Sequence, residues 1–380
     1  MHGFLPVKYL LIIAALLCGS ASFALAEEKS GFDKAWSYLT LYENEQGNFQ
    51  KFALVGRAQL DAVWVDPDGT DADGSPYENL SDTRWRRFRF GAEAYMFDNW
   101  KVHLEANFDL NEDIGDWYTD LTDAYIQWEV SKELKLKVLK QSAGFTLDGL
   151  TSSKRLLTLE RNNLTNNLWF TEEYFNGVLV SGACAGDFSY KASFFSSGGD
   201  PELDWDGASW FTLWELGYKV NETTTLTLDY VYQDEDEAAN TRDFEQILSF
   251  APKWQSGPWG VWGDISLGKG FADQGQDDVW GFHLKPFYDF NDYVQVVAAY
   301  TYVAGDGDNS VRLNRYDNRV ASVDDRGDRV QDVYGGVNVY FYGHKFKWQT
   351  GATWTKMDDS SVDGSDYEGW TLSTGLRLYW

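Results

Sequence analysis

Phe88-Arg89-Phe90-Gly91-Ala92-Glu93-Ala94-Tyr95-Met96 changes side-chain character at every step. Phe88, Phe90, Ala92, Ala94 and Met96 share one face; Arg87, Arg89, Gly91, Glu93 and Tyr95 share the other. Period two is the signature of a strand with one apolar and one polar side. Residues 101–110 repeat it, opposing Val102, Leu104, Ala106, Phe108 and Leu110 to Lys101, His103, Glu105, Asn107 and Asp109. Residues 345–355 do so again, with Phe346, Trp348, Thr350, Ala352 and Trp354 on the apolar side. Outward from these stretches the pattern predicts sixteen strands, the first at 52–65 and the last at 367–380. Their connections alternate between short (98–100, 131–133, 342–344) and long (66–83, 143–173, 304–327). Short turns on one side and long loops on the other are the pattern of a transmembrane antiparallel β-barrel, its long loops extracellular and its turns periplasmic. An even strand number leaves both ends on the side from which an exported chain arrives.

The composition agrees. Among 380 residues there are 18 Trp, 22 Tyr and 24 Phe but only 7 Pro and 2 Cys. Disorder and a disulfide scaffold do not fit such a chain. Beyond residue 26 no apolar run approaches the ~18 residues of a membrane helix. Acids outnumber bases 59 to 32, which argues against a nucleic-acid partner. Residues 1–26 carry one base, Lys8, then an apolar run, and close on Ala24-Leu25-Ala26. This is the pattern of a cleaved export signal. After cleavage Cys184 is the one remaining cysteine, so the exported chain needs stabilisation other than a disulfide. Residues 27–50 read as a periplasmic extension or an added strand, and residues 51–380 as the barrel. At the end, Trp370, Leu372, Thr374, Leu376, Leu378 and Trp380 share one face, a terminal strand of the kind read by outer-membrane assembly machinery.

The acidic charge is unevenly placed. The long loops other than 143–173 sum to nearly the whole negative charge of the exported chain, which puts it on the outer rim. Solvation is the ordinary role of such loops; cation bridging to lipopolysaccharide is the sharper one. Residues 66–74, Asp-Pro-Asp-Gly-Thr-Asp-Ala-Asp-Gly, lack the glycine that a calcium loop needs at position six.

A charge facing lipid at mid-bilayer costs ~2–4 kcal/mol, so the basic positions fix which face looks inward. Arg57, Arg87, Arg89, Lys101, Lys135 and Lys137 are therefore expected to line the lumen, with Asp61, Glu93, Glu105 and Asp109 facing them. Later strands offer few inward bases. Loop 143–173, with Lys154, Arg155, Glu160 and Arg161, is the candidate constriction. One reading is a transverse field between basic and acidic walls; another is a file of guanidinium groups that passes anions. Inward Tyr95, Tyr125, Tyr334 and Tyr340 leave open an aromatic slide for sugars. His103, His283 and His344 have no evident nucleophile or acid partner, so an enzyme is a remote alternative. No residue cluster suggests a metal or a cofactor.

Four segments together resemble the phosphate-selective porin O and P family: Arg86-Arg87-Phe88-Arg89-Phe90-Gly91, Asp123-Ala124-Tyr125-Ile126, Gly149-Leu150-Thr151-Ser152-Ser153-Lys154-Arg155-Leu156-Leu157-Thr158-Leu159-Glu160-Arg161, and Gly375-Leu376-Arg377-Leu378-Tyr379-Trp380. The resemblance implies a trimeric outer-membrane porin of sixteen strands with an inward third loop. It places Arg87, Arg89 and the bases of 154–161 along the ion path. The Pro usual near the start of the loop segment is absent from Gly144-Phe145-Thr146-Leu147. The expected function is passive diffusion of small hydrophilic solutes or ions, anion-preferring, phosphate-preferring or unselective. Lipid and lipopolysaccharide are the expected surroundings.

Overall fold

The computed structural model describes residues 29–70, 75–170, 172–205, 207–307, 310–321, 326–359 and 366–380. The expected export signal at 1–26, and residues 71–74 of the acidic stretch, lie outside the described residues.

Sixteen antiparallel strands close into a barrel. They are β1 Phe49–Gly69, β2 Leu80–Met96, β3 Trp100–Phe108, β4 Tyr118–Glu129, β5 Lys135–Ser142, β6 Tyr174–Ala183, β7 Phe188–Ser196 and β8 Trp210–Asn221. The other half comprises β9 Thr224–Gln233, β10 Phe244–Ser256, β11 Trp259–Gly270, β12 Val279–Asp289, β13 Val294–Gly305, β14 Arg329–Tyr342, β15 Phe346–Asp358 and β16 Tyr367–Tyr379. Each pairs with its sequence neighbour, and β16 pairs with β1 from Tyr367↔Gly69 to Tyr379↔Arg57, so the sheet has no free edge. The alternation has its expected consequence. In β12, Trp280, Phe282 and Leu284 are exposed on the outside, whereas His283 and Lys285 are buried within. Aromatic pairs, Trp100 stacked on Trp128 and Trp259 edge-on to Tyr288, sit by the short turns, where ring and polar edge both find a suitable medium.

Two departures from simple alternation matter. First, Gln59 pairs with Arg87 but Leu60 pairs with Trp85, so Arg86 is the extra residue of a β-bulge. The bulge turns two consecutive arginines away from lipid, which a strict period of two forbids. Second, β6–β10 carry large apolar residues on their inner face: Phe175, Phe195, Phe211, Val231, Phe244 and Ile247 are all buried. They pack against the loop between β5 and β6 and form a hydrophobic core inside the barrel.

Before the barrel, helix α1 (Lys29–Ser37) leads into a short strand, Thr40–Glu43, which pairs with the start of β1. Phe32 stacks on Tyr342 at 5.2 Å, and the Trp36 indole N–H donates to the Tyr379 carbonyl at 2.7 Å. The segment thus fastens the end of β16 and the β14–β15 turn. Trp36→Ala should lower stability by about 2 kcal/mol, less than a full core truncation because Trp36 is half-buried. An unchanged heat-unfolding midpoint in detergent would refute this.

Candidate functional site

Residues 143–173 run from the end of β5 into the barrel. Two short helices organise them, α2 (Leu147–Leu150) and α3 (Asn163–Leu168). At the start of α2 the N–H groups of Thr146 and Leu147 donate to carboxylates on the barrel wall, Asp229 (3.0 Å) and Asp264 (2.7 Å). Free N–H groups of a first helical turn make a good partner for anionic oxygen. Asp148 then meets Lys285 of β12 at 2.7 and 2.9 Å, with both side chains 0% exposed. Asp148 also accepts from the backbone and side-chain N–H of Asn162 at 3.0 and 2.9 Å, tying α2 to α3. Asn162 caps α3 in turn, accepting from the Thr165 N–H at 2.9 Å. Leu164 and Leu168 of α3 are fully buried. Gly281 on β12 allows this approach, since a Cβ there would lie 2.7 Å from Leu164 Cδ1.

The middle of the loop is held on the far wall. Lys347 donates to the Leu156 carbonyl at 2.7 Å, and Asn338 to the Leu157 carbonyl at 2.9 Å. Tyr379 donates to the Ser153 carbonyl at 3.0 Å, and Arg377 to the Leu159 carbonyl at 3.4 Å. Leu157 packs with Phe287, Val297, Ala299 and Tyr334. The loop therefore crosses the lumen and is fixed on both sides.

Several residues singled out from sequence meet here. Arg57 donates to Ser153 Oγ at 2.7 Å and pairs with Glu105 at 2.9 Å. Arg87 donates to Gln59 at 2.9 Å. Arg89 is bonded to the Tyr174 hydroxyl and lies 3.6 Å from Glu173. Arg161 bonds the Asp148 carbonyl at 3.0 Å and Glu173 at 3.3 Å, over the face of Trp169. Arg86 and Glu160 form a bidentate pair, its longer bond 3.0 Å. Burial alone would raise the Glu160 carboxyl, but Arg86 and then Arg87 outweigh it and hold the group well below the usual carboxylate range.

Other singled-out residues lie apart from this constellation. Lys101 pairs with Glu93 at 2.9 Å, and Lys137 sits over the Tyr125 ring at 4.1 Å. Lys135 is partly exposed at the start of β5 and pairs with Glu129 at 3.0 Å. Asp109 lies just past β3, where it accepts from the Asn111 backbone N–H at 2.9 Å and shapes the loop. Arg155 is exposed. The tyrosines do not form a continuous slide. Tyr340 donates to Gln295 at 2.9 Å, Tyr334 packs beneath the loop, and Tyr95 and Tyr125 face Lys101.

The expectation of few inward bases on later strands is corrected. Lys285, Lys347 and Arg377 are buried inward on β12, β15 and β16, and Lys253 on β10 lies 4.7 Å over Trp262. Their role explains the difference: Lys285 pairs with Asp148, Arg377 with Asp61, and Lys347 with a loop carbonyl. These bases hold the loop in place.

On the extracellular side of the crossing loop lies a chamber of about 680 Å3. Arg86, Arg87, Arg89 and Arg161 line it together with Arg242, Arg312, Arg315 and Arg319 from later loops. Four carboxylates, Asp120, Glu160, Glu172 and Glu173, face these eight arginines. Glu160 and Glu173 are already engaged by arginine, and Arg319 pairs with Asp82 at 2.7 Å, so with Asp82 counted the chamber has a formal excess of three positive charges. Arg242 donates to the carbonyls of Asn166 (2.9 Å) and Trp169 (3.3 Å), contacts that orient it without neutralising it. The outer loops are thus not uniformly acidic toward the lumen. Loop 304–329 is near neutral by count, yet it turns arginines inward.

The family model described as phosphate-selective porin O and P matches residues 55–278. No curated protein matches the chain. Among solved structures, the outer-membrane channel DcaP of Acinetobacter baumannii superposes with a TM-score of 0.58 at 10% identity, covering 89% of this chain and 99% of that one. OprB of Pseudomonas putida gives 0.59 at 10% identity, covering 93% and 97%. The trimer form of OmpT, an outer membrane protein of Vibrio cholerae, gives 0.53 at 12% identity, covering 87% and 99%. At such identities the likeness is one of fold.

Proposed function

The chain belongs to the phosphate-selective porin O and P family, an outer-membrane porin for passive diffusion of small hydrophilic solutes, and from that premise we propose that it prefers anions. The observation that supports this most directly is the chamber, with eight arginines to four carboxylates ahead of the crossing loop. Guanidinium forks match carboxylate and phosphate oxygens, and a positive vestibule raises the local anion concentration. Arg87 and Arg315 are the groups assigned to meet the solute. Arg57, Arg89 and Arg161, held by carboxylates, shape the passage. No bond changes in this role. By likeness to the trimer form of OmpT, the porin is proposed to act as a homotrimer.

The test is the reversal potential of the refolded protein in a planar bilayer under a KCl gradient, repeated with added phosphate. Chloride preference with block by phosphate supports the reading. Cation preference, or no selectivity at 0.1 M salt, overturns it and leaves a general-diffusion pore.

A pH dependence follows. Burial, then Arg57 nearby, pulls the Lys154 ammonium down to about 8. Charged below that pH and neutral above it, Lys154 should weaken anion preference as pH rises from 7 to 9. Lys154→Met should have the weaker preference already at pH 7 and lose the step. A wild-type reversal potential that stays flat over this range would contradict the assignment.

A further inference from the structure

Between the crossing loop and the later strands lies a second, smaller cavity. It measures about 70 Å3, between loop residues 158–163 and the inner faces of β12–β16. That is room for more than one water-sized body. Asp332 of β14 and His283 of β12 line it, with Thr353 and Ser373. Asp332 is 7% exposed and its Oδ1 has no hydrogen-bond partner. His283 Nε2 is likewise bare, while its Nδ1 lies 2.9 Å from the Thr301 hydroxyl.

The charges around this space do not balance. The Thr355 hydroxyl bonds the Asp332 carboxylate and accepts from Asn314 at 3.1 Å. Asn314 also donates to Asp317, which is fully buried. Two carboxylates therefore share one hydrogen-bonded group. Among the described residues neither forms an ion pair, and the segments outside them after residue 28 contain no Lys or Arg. Arg161, which lines the cavity, is committed to Glu173 and Arg377 to Asp61, while Arg315 lines the outer chamber. Asp317 Oδ1 already accepts from Tyr367 (2.8 Å) and Thr371 (2.6 Å), and its Oδ2 from Asn314. Asp332 Oδ1 is the bare carboxyl oxygen, and it borders the cavity. Uncompensated buried charge is strongly unfavourable, so the pair takes up either a counter-cation or a proton.

We infer that this cavity binds an alkali cation, Na+ or K+, held by Asp332 Oδ1 with the hydroxyls of Thr353 and Ser373, which balances the buried acidic pair and fixes the back of the loop to the wall. Calcium is a poorer fit, since it takes 6–8 oxygens and commonly several carboxylates, whereas one carboxylate oxygen is free here. Water alone satisfies the hydrogen bonds but leaves the charge.

The experiment follows heat unfolding of the refolded barrel in neutral detergent. Chloride salts of Na+, K+ and N-methyl-D-glucamine are compared at constant ionic strength and pH 7.5. The midpoint is expected several degrees higher in Na+ or K+ than in the organic cation, and Asp332→Asn should abolish that difference. Wild-type crystals soaked in thallium(I) should show an anomalous peak between residues 158–163 and β14, a readout independent of whether the variant folds. Equal midpoints in all three salts, persistence of the difference in Asp332→Asn, or no thallium at the cavity would each overturn the inference. A midpoint that shifts with pH but ignores the cation would assign the pair a shared proton instead.

Discussion

Asp148→Asn is expected to loosen the crossing loop and raise single-channel conductance, with frequent current noise in place of a steady level. Asp148 neutralises Lys285 where neither side chain touches water. Removing one member of a buried ion pair typically costs ~3–5 kcal/mol, because the other charge is left uncompensated. Asparagine keeps an oxygen for the Asn162 N–H groups, so the lost term is electrostatic. The effect should fall on the loop more than on the barrel, since the strand ladder does not pass through Asp148. A double variant, Asp148→Asn with Lys285→Met, removes both charges and should recover most of the stability. A single variant with wild-type conductance, noise and heat-unfolding midpoint would show that the pair does not hold the loop.

Arg87→Glu with Arg315→Glu should abolish anion preference. The two reversals change the chamber by four charges, which more than cancels its formal excess of three. Among the described residues neither arginine forms an ion pair, so no carboxylate is stranded. A permeating ion a few ångströms away in a water-filled chamber feels about 1 kcal/mol per charge at most. Screening over a Debye length of about 10 Å at 0.1 M reduces that further. The combined change in the anion-to-cation permeability ratio should be about tenfold at 0.1 M KCl and much smaller at 1 M, where the length is about 3 Å. A ratio unchanged at 0.1 M would place the selective element elsewhere, most directly at the Arg57–Glu105 pair beneath the loop.

The sixteen strands, their order and the inward phase of the early ones were legible along the chain. Each follows from a local rule: apolar side chains every second residue cannot face water, and charges cannot face lipid. Arg57, Arg87 and Arg89 were assigned inward by that rule, and their side chains lie within the barrel. Arg86 escaped it, since its bulge exists only in the register of β1 against β2, where Gln59 meets Arg87 and Leu60 meets Trp85. Phe175, Phe195 and Phe211 were equally hidden, because strands apolar on both faces carry no sign of which face meets lipid and which meets a loop.

The site divides in the same way. From residues alone one could read that 143–173 is long, that it carries Lys154, Glu160 and Arg161, and that bases gather on early strands. Which charges remain free to meet a solute depends on partners far away in sequence. Lys285, Lys347 and Arg377 serve the loop, Asp61 is taken by Arg377, and Arg312 and Arg315 join Arg86 and Arg87 only because the barrel closes. Local period sets the strands, since it is fixed by backbone geometry within a few residues. Charge pairing across a lumen is set by closure and by the path of the loop, and so only the tertiary structure decides which arginines bind protein and which face the water.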